Sequence, residues 1–235
     1  MAILVPFTYA SYLMVSDFLL KKPADYRWPQ FGDFWFTGVT TVLCMILERT
    51  FDRIFYPMYY NICKEKHDEE SRKIRTKKAV KNIFKFCYYS FAAGLGWLTL
   101  RDSYVLPPAL GGSGSFYEQF KNWPYFEHPP LYKYYFTGTM GFHIGTLLNQ
   151  LIFEDRKKSD YIEMTLHHLV TVYLFGFSYM SNTLIGAPVA FLHNWADVAV
   201  SFTRIWAESE YGKVTMSSFI FAQVIWFYTR IIVFP

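Results

Sequence analysis

Cysteine is scarce: Cys44, Cys63 and Cys87 are the only three in 235 residues. Their spacing matches no metal-binding or redox motif, and no disulfide framework follows from them. Charge is also thin, at 18% Asp, Glu, Lys and Arg. No basic n-region with a small-residue cleavage site opens the chain, so no cleavable signal is expected. No internal repeat is visible, and no linker splits off a second folded unit. A nucleic-acid-binding role is set aside, because the basic residues lie beside apolar runs, where anionic lipid headgroups or an acidic neighbouring protein are more natural partners.

What is abundant is apolar and aromatic: 52% hydrophobic residues, 21% Phe, Trp and Tyr. Mean hydropathy is only +0.10, because Tyr and Trp score poorly on hydropathy while suiting membrane interfaces. Tyr134–Phe153 carries no fixed charge, nor does Val214–Thr229. Met164–Ala196 carries none either; it is too long for one span and is broken by "SNTLIGAP". Spans of about 20 apolar residues read as transmembrane helices. Ile3–Leu20 (with Pro6 and Asp17 inside), Phe34–Leu47 and Phe86–Leu100 are weaker candidates. The expectation is an all-α, multi-pass transmembrane bundle of six or seven spans. A soluble all-α bundle is the alternative, but uncharged runs of helix length are uncommon in water-soluble bundles.

Charge distribution orients the bundle. Lys64–Lys85 holds nine Lys and Arg against four acids, and Arg156, Lys157 and Lys158 follow as a second basic cluster. The positive-inside rule puts both on the cytoplasmic or matrix side. Arg101–Lys133 is balanced at three against three and faces the other side with "SNTLIGAP". Lys21, Lys22 and Arg27 go mildly against this. In "DRIFYPMYYNIC", Phe51, Ile54, Phe55, Met58, Tyr59 and Ile62 recur at helical spacing, so an interfacial amphipathic helix, bent at Pro57, is expected after the second span. "LPPALGGSGS" reads as loop. Residues 1–78 then form N-terminal membrane helices with the interfacial helix and basic loop, and 79–235 a membrane domain.

Ionisable residues inside spans cost free energy and point to function. Here they are His143, His167, His168, His193, Asp197 and Arg204. In "HNWADVAVSFTR", His193, Asp197, Ser201 and Arg204 share one helix face, with Asn194 beside it. His168 lies about 10 Å in from Tyr161 at ~1.5 Å per residue, and Asp197 about as deep if its helix ends at Arg204. A His168–Asp197 contact is therefore expected. Adjacent residues differ by about 100°, so only one of His167 and His168 faces the site. Four chemistries remain open. A His paired with a carboxylate can be a general base. A His can be acylated. Three His and one Asp can bind a metal, although one doublet plus lone histidines makes a poor set and no metal is expected. Finally, the polar residues can simply hydrogen-bond helix to helix.

"DYIEMTLHHLVTVYLFGFSYMSN…IGAPVAFLHNWAD" resembles the Lag motif of ceramide synthases, within the wider TLC-domain family. "WPYFEHPPLYKYYFTGTMGFHIGTLL" is similar to the segment before that motif, and "WFYTRIIVFP" to the last family signature. The resemblance covers roughly residues 80 to 235. It implies membrane helices around an acyl-chain tunnel and transfer of an acyl group from acyl-CoA, a co-substrate rather than a cofactor, to the amine of a sphingoid base. By that resemblance His167 and His168 are the catalytic doublet. His193 and Asp197 match the His and second Asp of HDxxD; Ser178, Tyr179 and Asn182 match SYxxN; Asp160 matches the acid before the doublet. Asn194 replaces the first Asp of HDxxD, Ser201 the next acid, and Arg204 a Lys. A basic residue between Asn182 and Gly186 is missing. The chain stops at Pro235 where ceramide synthases continue, which leaves the tunnel short of a wall unless a partner supplies one.

Three functions follow. The leading one is a degenerate TLC scaffold, a non-catalytic, lipid-binding subunit of a larger membrane assembly in which His167, His168, His193 and Asp197 are remnants. In a comparable triad, exchanging the carboxylate for an amide costs about four orders of magnitude in turnover. The second is an active ceramide synthase-like N-acyltransferase. The third is a lipid sensor that needs the tunnel but not the chemistry. Partners are membrane lipids and, for the subunit reading, other membrane proteins. The endoplasmic reticulum is the implied location, with the mitochondrial inner membrane, inside a large complex, as the alternative.

Overall fold

The computed structural model describes residues 26–115, 117–118, 123, 125, 128–154 and 160–233. The expected first span, the cluster at Arg156, Lys157 and Lys158, and Pro235 lie outside the described residues. Six long helices carry the fold: α1 Trp35–Ile62, α2 Glu69–Leu100, α3 Tyr132–Phe153, α4 Tyr161–Met180, α5 Gly186–Ala207 and α6 Gly212–Phe227. The last continues into a π-helical turn, Tyr228–Val233. Among the described residues the only β pairing is a single bridge, Cys63 to Ser209. Residues 31–62 and 212–233 are each long and apolar enough to cross a membrane.

Among the described residues, helices form over the apolar, largely uncharged runs, with two corrections. No interfacial helix separates from the span before it. Nothing between Leu47 and Ile62 supplies a C-cap, so α1 runs unbroken through Pro57. The basic Lys64–Lys85 segment is not a loop. Asp68 accepts the backbone N–H of Glu70, Glu69 and Glu70 sit in the first turn, and Glu69 pairs with Lys73 one turn on. This acid-first order suits the helix dipole, so most of the segment is the first half of α2.

α2 packs on α5, α1 on α3 and α2, α3 on α4, and α6 on α5, while α4 touches α5 only lightly. The α1–α3 crossing is close. The Thr37 hydroxyl donates to the Thr137 carbonyl at 2.9 Å and the Thr41 hydroxyl to the Gly141 carbonyl at 3.1 Å. A Cβ on Gly145 would stand 3.0 Å from both Cys44 Cβ and the Thr41 carbonyl oxygen, and one on Gly141 would run into Thr40. Small residues at such crossings let backbones approach and hydroxyls bridge them. Farther along the same seam, buried Glu48 accepts from Asn149, and Lys81 holds Glu154. α4 shows Leu166, Leu169, Tyr173 and Phe177 outward, and α6 shows Phe219, Ile220 and Val224. Such a continuous apolar exterior suits lipid rather than water.

Both ends of the bundle are tied. At the basic end the Lys64 N–H donates to the Glu208 carbonyl at 3.1 Å and the Glu210 N–H to that of Ile62 at 3.2 Å. The Glu208 carboxylate accepts from Arg75 at 2.8 Å and pairs with Lys78 at 3.0 Å and Lys64 at 3.9 Å. Burial works to raise the Glu208 carboxyl, but hydrogen bonds from Lys78 and Arg75 outweigh it and hold it below the ordinary glutamate range. At the opposite end Asp33 accepts from Lys133 and, at 2.9 Å, from the Tyr179 hydroxyl.

Two outcomes follow for stability. Glu208→Gln lowers the melting temperature of the detergent-solubilised chain, by the equivalent of ~1–2 kcal/mol. Because folding depresses this carboxyl, its contribution is complete above the unfolded value of about 4.3 and is lost as the pH falls through the lower folded value. Melting temperatures of the variant and the unmodified chain therefore converge in acid. Gly141→Val forces α1 off α3, an overpacking cost of roughly 1–3 kcal/mol, whereas Gly38→Val, with open space around its Cβ position, leaves melting unchanged.

Candidate functional site

A cavity of about 360 Å³ opens between α3, α4, α5 and the π turn. Phe136, Leu174, Phe175, Val189 and Ala190 give it apolar walls; Thr139, His143, His167, Ser178, His193, Asn194, Asp197 and Arg230 add the polar groups. The light packing of α4 on α5 leaves this space. α4 directs His167 and, a turn on, Val170 and Thr171 into it, while α5 supplies His193, Asn194 and Asp197.

The doublet divides as helical geometry demands. His167 lines the cavity, and its ring has no hydrogen-bond partner among the described residues. His168 is buried against α3, its ring centroid 5.9 Å from that of His143. Nδ1 of His168 and Nδ1 of His143 are both buried without a partner among the described residues.

The expected His168–Asp197 contact does not form. α5 runs on to Ala207 instead of ending at Arg204. That places Asp197 about 15 Å from the basic end at ~1.5 Å per residue, above the roughly 10 Å of His168. Asp197 lines the cavity but has no hydrogen bond and no ion pair among the described residues.

His193 has a fixed tautomer. Its Nδ1 lies 2.7 Å from the Val189 carbonyl oxygen, which can only accept, so Nδ1 carries the proton. Its Nε2 meets Nη1 of Arg230, and a guanidinium can only donate. Both nitrogens are thus committed, and His193 has no free ring atom for acid–base chemistry.

The remaining expected residues lie elsewhere. Asn194 is buried and donates to the Tyr135 hydroxyl at 3.2 Å. The Ser178 hydroxyl lines the cavity but donates to the Thr183 carbonyl at 2.8 Å. Tyr179 reaches away to Asp33. Asn182, at a positive φ of 55°, joins His128 at 2.6 Å and Tyr26. Asp160 caps α4 through its backbone, its carbonyl accepting from the Met164 N–H at 3.0 Å. Arg204 is exposed and Ser201 buried, so of the expected helix-face set only His193 and Asp197 meet in the cavity. Among the described residues no three His, Cys, Asp or Glu side chains are placed to hold a metal ion. Sequence reasoning missed Arg230. A lone arginine in the apolar "WFYTRIIVFP" was the available signal, one residue beyond the uncharged run.

Comparisons with known proteins agree with this architecture. The family model for the TLC domain, which unites TRAM, LAG1 and CLN8 proteins, matches residues 78–235. Ceramide synthase hyl-2 of Caenorhabditis elegans is 24% identical over 219 residues, 89% of this chain and 64% of that protein. Ceramide synthase 4 of Bos taurus is 31% identical over 172 residues, 71% of this chain and 40% of that protein. The human ceramide synthase 4 is 31% identical over 163 residues, 68% of this chain and 39% of that protein. The chain thus spans about half the length of the curated relatives it matches. With the helical bundle, the apolar exterior and the histidine-lined cavity on the same residues, the chain is an integral membrane protein that belongs to the TLC-domain family and is ceramide synthase-like.

Proposed function

We propose that this multi-pass membrane protein holds a single-chain lipid in the cavity between α3, α4 and α5 and transfers an acyl group from acyl-CoA to the amine of a sphingoid base. The observation that carries the reading is the unencumbered ring of His167 in an apolar cavity. His193 is tied up, whereas His167 keeps a nitrogen lone pair available for chemistry.

His167 also lies about 9 Å from the basic end at ~1.5 Å per residue. The cations of α2 are gathered at that end and suit the CoA phosphates. In the covalent form of the reaction, an imidazole nitrogen of His167 attacks the thioester carbonyl, the C–S bond breaks and the CoA thiolate leaves and takes a proton. The amine then attacks the acyl-imidazole, the C–N amide bond forms, the imidazole departs, and the amine proton passes to it. In the general-base form His167 takes the amine proton while the amine attacks the thioester directly; the C–N bond forms, the C–S bond breaks, and the imidazolium returns that proton to the departing CoA thiolate. Asp197, away from the doublet but in the same cavity, serves the substrate amine rather than a histidine. His168 and His143 form the wall behind His167. No cofactor enters either route.

A second reading is a non-catalytic, lipid-binding subunit among other membrane proteins. It is favoured by one observation: Asn194 offers Tyr135 an amide, and among the described residues no carboxylate bonds to the doublet. Membrane lipids are partners in both readings. The endoplasmic reticulum fits the first, and a large complex of the mitochondrial inner membrane is the alternative for the second.

N-acylation of sphingosine by microsomes containing the chain falls by about 10²–10⁴-fold in His167→Ala, with a smaller loss in Phe175→Leu. Equal product with and without His167 returns the second reading. Orientation has its own test. In a background without the exposed Cys87, Lys66→Cys is labelled by an impermeant thiol reagent from the cytoplasmic side and Ser113→Cys only from the other; labelling of both from one side overturns the topology.

A further inference from the structure

Two opposite charges line this apolar cavity without being paired to each other. Arg230 spends Nη1 on His193, while its buried Nε has no partner among the described residues. Asp197 faces the same space with no hydrogen bond or ion pair among the described residues. His143 and His167 also line the cavity, and Arg230 and Lys85 act on Asp197 through space, so the carboxylate and the guanidinium feel each other without forming an ion pair among the described residues. His193 is locked neutral between Val189 and Arg230, and the Asn194 amide is committed to Tyr135. The walls between are Leu174, Phe175, Val189 and Ala190.

Separated charges in a low-dielectric space are costly until each meets an opposite charge. A neutral ligand leaves both unmet. A simple amine satisfies Asp197 and leaves Arg230 bare, and a simple acid does the reverse. We infer that the ligand this cavity is built for is a zwitterionic single-chain amphiphile, with an ammonium at Asp197, a neighbouring acidic group at Arg230 and its chain along the apolar walls. This rests on the cavity being the acyl-acceptor site, and it narrows the acceptor from a long-chain amine to a long-chain amine that carries an acid beside it. The shared chemistry is an oxyanion within reach of a guanidinium fork, which a phosphate or a carboxylate supplies.

The test is direct binding to the full chain in maltoside detergent, without acyl-CoA. Four probes are compared: sphingosine, phosphorylated sphingosine, hexadecanoic acid and its α-amino derivative. One or both zwitterions bind about tenfold or more tighter than either singly charged probe, and the tighter of the two tells phosphate from carboxylate. Arg230→Met erases the preference for the zwitterion over sphingosine. Asp197→Asn erases its preference over the fatty acid. Arg230→Lys retains part of the preference, and melting curves of each unliganded variant separate lost contacts from lost folding. Sphingosine binding as tightly as its phosphate and the fatty acid as tightly as its amino derivative overturns the inference, as does an equal loss for all probes in a folded Arg230→Met. If the zwitterion preference holds but microsomes form no amide, acyl transfer fails and the inference stands. If amide forms on sphingosine and Arg230→Met is without effect on binding, the inference fails and acyl transfer stands.

Discussion

Where α1 meets α3, two glycines and two threonines bring backbones to within a hydroxyl's reach of each other. In a bundle whose exterior is as apolar as its surroundings, burial from water cannot by itself tell one helix pairing from another, so close packing and interhelical hydrogen bonds must do it. Fixing α3 on α1 points the other face of α3 inward. That face carries Phe136, Thr139 and His143, one wall of the cavity. The clamp of Glu208 by Lys64, Arg75 and Lys78 then holds the α5–α6 turn against the start of α2. α4, packed mainly on α3, is left to form the side of the cavity that presents His167.

Inside that frame the polar groups fall into two kinds. Glu48, Asn194, Tyr135 and His193 have hydrogen bonds made within the protein, as does the amide nitrogen of Asn149. Their chemistry is spent on holding helices together. His167, Asp197 and part of Arg230 are different: they face a space large enough for a ligand and are not satisfied by their neighbours among the described residues. Histidine count is therefore a poor guide to reactivity here. Four histidines line or back one cavity; among the described residues His143 and His167 both line it without a hydrogen bond to the ring, and of these two His143 is buried and His167 is accessible.

Much of this was legible in the residues. Uncharged runs located α3, α4, α5 and α6 because a long helix in an apolar setting excludes charge, and the break at "SNTLIGAP" separated α4 from α5. The division of the doublet followed from the ~100° step of the helix. Three things were not legible. A run of basic residues looks the same in a loop and on a helix, and only the cap at Asp68 decides for helix. The end of α5 at Ala207 has no glycine or proline to announce it, so Asp197 was placed a turn too shallow and wrongly paired. The Arg230–His193 contact joins residues from two helices, and no local pattern records it.

The π-helical turn at Tyr228–Val233 widens the last stretch of α6 just where Arg230 sits. A helix delivers a side chain by rotation as well as by rise, so the count of residues from Gly212 matters as much as the arginine itself. Losing or gaining one residue within α6 would swing the guanidinium by about 100°, out of the cavity and toward the apolar exterior. Among related chains, the length of this helix and the persistence of its widened turn would then govern cavity charge, and two proteins sharing the same arginine would differ in the ligands they hold.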